Sequence, residues 1–158
     1  MKRATIYFIS PMNTIAVIDF GGQYTHLIAN RIRRLGVYSE IVESNVSPSR
    51  IEEFAGCILS GGPYSVLDST RPPFDPEILH TGAPFLGLCY GHQLIASLLG
   101  GTVRGGTTRE YGLADLEIVR QSELFEGIDS PQQVWMSHGD SVERIPFGFE
   151  ILARTDDC

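Results

Sequence analysis

Three observations predict an α/β fold: an open, mostly parallel sheet with helices on both faces and a partly antiparallel extension. Continuous apolar runs of strand length recur as far as about Leu99, and stretches of helical period alternate with them. Glycine-bearing turns end several of these runs, at Gly21-Gly22, at Gly61-Gly62-Pro63 and around Cys89. The last of them, Gly87-Leu88-Cys89-Tyr90-Gly91, joins an apolar run directly to a helical pattern. It has the form of a nucleophile elbow, in which a strand, a tight turn and a helix present one side chain.

Taken in order, Ile15-Ala16-Val17-Ile18-Asp19-Phe20 is apolar almost throughout, as a strand buried on both faces should be. Gly21-Gly22 turns the chain. Tyr24 to Leu35 then carries a helical pattern, with Leu27, Ile28, Ile32 and Leu35 expected inward and Arg31, Arg33 and Arg34 outward; Gly36 stops it. Tyr38 to Glu43 reads as a second strand. Ser47-Pro48-Ser49 opens a short helix through Phe54, with proline in the first turn. Gly56 to Ser60 is a third strand, and Cys57 within it reads as core. Asp75 to His80 is a short helix capped by Asp75, with Pro76 at its first position. The strand leading into Cys89 is the fourth, and the helix after it runs to about Leu99, ending at Gly100-Gly101. Such alternation implies right-handed crossovers and a parallel sheet.

Beyond Gly101 the pattern changes. Thr102-Val103-Arg104, Leu113 to Val119, Gln133 to Ser137 and Glu150 to Arg154 read as separate short strands. Residues 1–11 read as an extension that does not belong to the domain, with Met12 as its start and 12–158 as the domain. The apolar part of that extension is too short to span a membrane.

Open α/β sheets bind ligands outside the carboxyl ends of their strands. Gly61-Gly62-Pro63 and Cys89 both fall at such ends. Glycines beside the cysteine allow a sharp turn and a close helix. A thiol above a helix N-terminus is shifted toward thiolate, and backbone N–H groups there can meet a developing oxyanion. On this local pattern alone two readings stand: an activated thiol, or an inert buried cysteine flanked by ordinary turn glycines. Asp19, at the end of the first strand, reads as a turn-capping residue rather than a catalytic one.

Composition excludes several function classes. The chain has 158 residues, 42% hydrophobic and 20% charged, with a net charge of −7. That is enough for one domain with a core, and it shows no basic tract for nucleic acid or an acidic membrane surface. Three cysteines without framework spacing suit a reducing cytoplasm rather than a disulfide scaffold. No metal-ligand spacing and no dinucleotide or Walker-type glycine pattern is present, so no metal or cofactor is expected in this domain. Ser60-Gly61-Gly62-Pro63-Tyr64-Ser65 lacks the aspartate of a Ser-Gly-Gly-x-Asp-Ser pyrophosphate loop, and Pro63 removes a donor.

Five blocks in a fixed order carry a resemblance. They are Val17-Ile18-Asp19-Phe20-Gly21-Gly22-Gln23-Tyr24, Ser60-Gly61-Gly62-Pro63-Tyr64-Ser65-Val66, Gly87-Leu88-Cys89-Tyr90-Gly91-His92-Gln93, Arg109-Glu110-Tyr111-Gly112 and Trp135-Met136-Ser137-His138-Gly139-Asp140. Together they resemble the class I, triad-type glutamine amidotransferases, with their flavodoxin-like sheet, and within them the glutaminase domain of the GMP synthase type. The resemblance implies hydrolysis of L-glutamine to glutamate and ammonia. The ammonia would pass to an ATP-pyrophosphatase unit, which uses ATP and Mg to convert XMP to GMP. It implies Cys89 as the nucleophile that forms a γ-glutamyl thioester. It implies the N–H groups of Gly62 and Tyr90 as the oxyanion site, and Gln93, Ser137, His138 and Gly139 as holders of the substrate's amino-acid end.

The sequence departs from the family in one respect. The family's catalytic histidine and glutamate lie in a His-Pro-Glu motif, and none occurs here; the four histidines are His26, His80, His92 and His138. None of them is expected to serve as the base. The chain therefore reads as a domain stopping before that motif, with little turnover of its own. Another elbow-cysteine enzyme, such as a γ-glutamyl hydrolase, and a non-catalytic glutamine-binding or docking module are the alternatives.

Overall fold

The computed structural model describes residues 13–156 and 158, and for residues 106–111 the backbone alone. The segment 1–11 read as an extension lies outside the described residues, as do Met12, Asp157 and the side chains of Arg109 and Glu110. The chain divides into two compact units. One comprises the described residues up to Pro63 with Pro72–Gly91, and the other Tyr64–Arg71 with His92–Cys158.

The first unit is a four-stranded parallel sheet in the order β2-β1-β3-β4. Its strands are β1 (Thr14–Asp19), β2 (Tyr38–Glu43), β3 (Gly56–Leu59) and β4 (Phe85–Gly87). β1 lies in the middle, with Ile15 in register with Ser39 on one side and with Gly56 on the other. Ala16, Val17 and Ile18 are consequently fully buried, which is why this stretch of sequence is apolar without alternation. The order reverses direction between β2 and β3, so α1 (Thr25–Arg34) and the short α2 (Pro48–Ile51) return on opposite faces when both crossovers are right-handed. α2 packs against a 3-10 turn at Pro76–His80, and Ile51 and Ile78 are completely buried. Both short elements are capped: the Ser47 hydroxyl accepts the Arg50 N–H, and the Asp75 carboxylate accepts the Glu77 N–H, as expected of Asp75; α2 ends at Ile51, short of the expected Phe54.

α1 corrects one expectation. Leu27 and Leu35 are exposed, and the inward face is Thr25, Ile28, Ala29 and Ile32. Their spacing is i, i+3, i+4, i+7, so the helical period and the inward Ile28 and Ile32 hold, while the face turns toward Thr25 and Ala29 rather than Leu27 and Leu35. Thr25 goes inside because the Asp19 carboxylate accepts its hydroxyl at 2.8 Å.

The second unit holds the antiparallel part expected beyond Gly101, a three-stranded sheet of its own in the order β6-β5-β7. β5 (Thr102–Ile118) is one strand where two were expected, and β6 (Gln132–Arg144) runs well past Ser137. The break read in the sequence is a slip of register: Gly105 pairs with Asp140, and the next partners are Glu110 and His138. Glycines at the slip let the strand bulge without ending. The last strand shrinks to β7 (Ala153–Arg154), which pairs only with Glu117 and Ile118. α3 (Tyr90–Leu98) follows the elbow and ends ahead of Gly100, which takes a left-handed φ of 88°. Among the described residues no helix is long and apolar enough to cross a membrane.

Candidate functional site

Within the first unit, the carboxyl ends of β1, β3 and β4 converge. Their loops are held at backbone contact by glycines. A Cβ on Gly22 would lie 2.2 Å from the carbonyl oxygen of Gly61, and one on Gly62 would lie 2.4 Å from that of Phe20. One on Gly91 would lie 2.3 Å from the oxygen of Leu59. Real side chains do not fit at these distances, so Gly22 and Gly62, read from the sequence as turn residues, are close-approach residues, and Gly91 gives the close helix expected of it.

Cys89 stands in the turn between β4 and α3. Its φ is +52°, a left-handed conformation that no other non-glycine residue among those described adopts. Hydrogen bonds to β3 brace the turn. Leu88 N–H donates to Leu59 O at 2.9 Å, and Gly91 N–H donates to Ser60 O at 3.1 Å and to Leu88 O at 3.0 Å. Cys89 is exposed, and its Cβ lies 3.5 Å from where a Cβ on Gly61 would stand. Tyr90 opens α3, almost fully buried, with its ring 5.1 Å from that of Phe20. Thus three predicted residues, Cys89, Gly62 and Tyr90, share one loop cluster at the sheet's carboxyl edge. A strained residue fixed on every side is how folds present a reactive side chain.

A buried polar network supports this cluster, and sequence reasoning missed it. Asp19 Oδ1 accepts from Gly21 N–H at 2.9 Å and from the Thr25 hydroxyl, so its turn-capping role holds. The Thr25 Oγ also lies 3.1 Å from Gly22 O and 3.2 Å from the Ser60 Oγ. Ser60 accepts the Phe20 N–H at 3.2 Å and is 3.0 Å from Gly61 O.

The other predicted residues belong to the second unit, where Asp140 is the centre. The Gln93 side-chain NH₂ donates to Asp140 O at 2.7 Å, and His138 Nδ1 is 3.0 Å from the same oxygen. A carbonyl only accepts, so Nδ1 carries the hydrogen. The Ser65 hydroxyl donates to Asp140 Oδ2 at 2.5 Å and accepts the Leu67 N–H at 3.1 Å. Gln93 is buried, and its amide is oriented with the nitrogen toward Asp140. Ser137 is exposed, and Gly139 sits at the register slip with room around it. Ser65 and Asp140 stand inside the quoted motifs, but neither had been singled out.

His26 and His80 are exposed, as expected of surface histidines. His92 has an open surface too, yet partial burial of its ring, and then the neighbouring His138, hold it below the usual histidine range. Among the described residues no cluster of His, Cys, Asp and Glu could hold a metal ion.

The cysteines differ in reactivity. Cys57 is buried in β3, and burial pushes its thiol up to about 12, so it stays protonated at any working pH. Cys89 and Cys158 are exposed. In the native chain at about pH 8, iodoacetamide is expected to alkylate Cys89 and Cys158 and to spare Cys57 until denaturant is added. Peptide mass mapping reads this directly, and rapid native modification of Cys57 would contradict its burial.

The chain is similar to known proteins over most of its length. The family model for "Glutamine amidotransferase class-I" matches residues 16–158. A GMP synthase [glutamine-hydrolyzing] of Natranaerobius thermophilus is 51% identical over 145 residues, which are 90% of this chain and 28% of that protein. One of Lactobacillus delbrueckii subsp. bulgaricus is 45% identical over 153 residues, 95% of this chain and 30% of that protein. The chain thus spans less than a third of the length of these curated relatives. Among solved structures, a glutamine amidotransferase of Thermotoga maritima superposes with a TM-score of 0.76 at 22% identity, covering 92% of this chain and 68% of that one, a likeness of fold.

Proposed function

The chain belongs to the class-I glutamine amidotransferase family, and from that premise we propose that it carries out the cysteine-dependent step of glutamine hydrolysis. The observation that carries this reading is the left-handed φ of Cys89 at the braced turn between β4 and α3. The Cys89 thiolate adds to the γ-carbonyl carbon of L-glutamine, and the carbonyl oxygen becomes an oxyanion facing the N–H groups of Gly62 and Tyr90. Collapse breaks the C–N bond. Ammonia leaves with a proton gained from solvent or a donor, and a γ-glutamyl thioester remains. Water then adds to the thioester, and glutamate and the thiol are released.

Each backbone donor contributes roughly 3 kcal/mol to the transition state, by analogy with other oxyanion sites. Cys89 has the α3 N-terminus to favour its thiolate; none of the four histidines is assigned as base. Gln93, Ser137, His138 and Gly139 hold the amino-acid end of the substrate. The Gln93 orientation supports this: with its nitrogen bound to Asp140 O, the amide oxygen is left as the acceptor end, suited to an ammonium group. The ammonia is delivered to an ATP-pyrophosphatase unit that aminates XMP to GMP. Two facts support that step: the relatives are GMP synthases, and this chain matches only a fraction of their length.

The test is covalent labelling with a diazoketone analogue of glutamine, read by peptide mass. Cys89 is expected to be modified and glutamine to protect it, with glutamate protecting less. Labelling indifferent to glutamine, or equal labelling of Cys158, would overturn the reading.

A further inference from the structure

The buried network beneath the elbow points to a positioning residue that the motifs do not single out. Ser60 is completely buried at the end of β3. Its carbonyl accepts the Gly91 N–H of the elbow at 3.1 Å, and its hydroxyl lies 3.0 Å from Gly61 O. The oxygen of Gly61 and the N–H of Gly62 belong to one planar peptide unit, in which they point in opposite directions. Whatever fixes the oxygen therefore aims the N–H. We propose that the Ser60 hydroxyl sets the direction of the Gly62 N–H as an oxyanion donor, by holding the opposite end of the same peptide plane. The inference rests on the glutaminase reading and deepens it.

Proton accounting supports the direction of that bond. Thr25 has one hydroxyl hydrogen and three oxygens in range, at 2.8 Å in Asp19, 3.1 Å in Gly22 and 3.2 Å in Ser60. The Asp19 carboxylate is nearest and charged, so it takes the hydrogen. Ser60 accepts the Phe20 N–H at 3.2 Å, and its own hydrogen is left to donate, with Gly61 O the nearer acceptor. The close approach of Gly22 confines the same oxygen from the other side: a Cβ on Gly22 would lie 2.2 Å from it. The peptide plane is thus gripped by its oxygen, and polarisation along the chain of bonds strengthens its N–H as a donor.

A test must separate aim from general integrity. Acylation of Cys89 by γ-glutamyl p-nitroanilide forms a tetrahedral oxyanion and releases p-nitroaniline, a leaving amine that can be followed by its colour. Alkylation by iodoacetamide displaces iodide at a saturated carbon and forms no oxyanion. In Ser60→Ala the acylation rate is expected to fall about 10- to 100-fold, part of what loss of one donor costs. Alkylation of Cys89, and the glutamine concentration that half-protects it, should stay within about twofold. Ser60→Cys, which fills nearly the same space with only a weak donor, should lower acylation in the same direction. Wild-type acylation in Ser60→Ala, or a parallel fall in alkylation, overturns the inference. Should Ser60→Ala not fold, Ser60→Cys decides by the same criteria. If the wild-type chain neither acylates nor is protected by glutamine, the underlying reading fails and takes the inference with it.

Discussion

Cys89→Ser is expected to abolish acylation by γ-glutamyl substrates, down to the uncatalysed background. A serine hydroxyl at neutral pH has no comparable anionic fraction, and the helix N-terminus that favours a thiolate does far less for an alcohol of much higher pKa. The same substitution should leave the fold intact, because serine occupies nearly the same space at an exposed position. Cys89→Gly takes the argument further. A non-glycine residue at φ +52° costs roughly 1–2 kcal/mol. Glycine removes that strain and adds up to about 1 kcal/mol of unfolded-state entropy cost. The thermal midpoint of Cys89→Gly should therefore match or exceed that of the wild type while acylation is abolished. A nucleophile held at the expense of stability is the signature of a functional turn, whereas an inert core cysteine would lower the midpoint when its side chain is removed. Loss of stability in Cys89→Gly, or appreciable acylation in Cys89→Ser, would argue against the role given to this turn.

Much of the parallel sheet was legible because burial on both faces leaves an uninterrupted apolar signature, as in Ala16-Val17-Ile18. The short capped elements at Pro48 and Pro76 were legible because capping is local. What failed to show in the sequence was non-local or polar. The inward face of α1 includes Thr25 and Ala29, which hydropathy ranks below the exposed Leu27 and Leu35. Thr25 is buried because the Asp19 carboxylate is there to accept its hydroxyl hydrogen. The Ser65–Asp140 bond spans 75 residues, and no spacing rule anticipates it. In β5 the glycines at the slip looked like a loop, since a bulge and a strand end share the same local residues. The candidate site divides along the same line. The Gly-x-Cys-x-Gly turn announces the nucleophile, but the contacts that brace it are buried hydroxyls and backbone groups from β1, α1 and β3.

Gly91→Ala should be among the most destabilising single substitutions in the chain, at about 3 kcal/mol or more. The added methyl would lie 2.3 Å from the Leu59 oxygen, 2.6 Å from its Cβ and 2.7 Å from its carbonyl carbon. Two of these three atoms are backbone of β3, which is fixed between β1 and β4. The oxygen is already engaged by the Leu88 N–H at 2.9 Å, so relief of the clash costs that hydrogen bond as well. Overpacking commonly costs 1–3 kcal/mol when side chains can yield, and here they cannot. Two other glycines calibrate the effect. Gly100 has open space but a left-handed φ of 88°, so Gly100→Ala should cost only the conformational strain, about 1–2 kcal/mol. Gly139 has neither constraint, and Gly139→Ala should fall within about 0.5 kcal/mol of the wild type. Urea denaturation midpoints at constant slope give the three values. The order Gly91 above Gly100 above Gly139 is required if the elbow is held by backbone contact between α3 and β3. A Gly91 cost no larger than that of Gly100 would mean that the Tyr90-Gly91 start of α3, next to the Cys89 turn, can shift from Leu59.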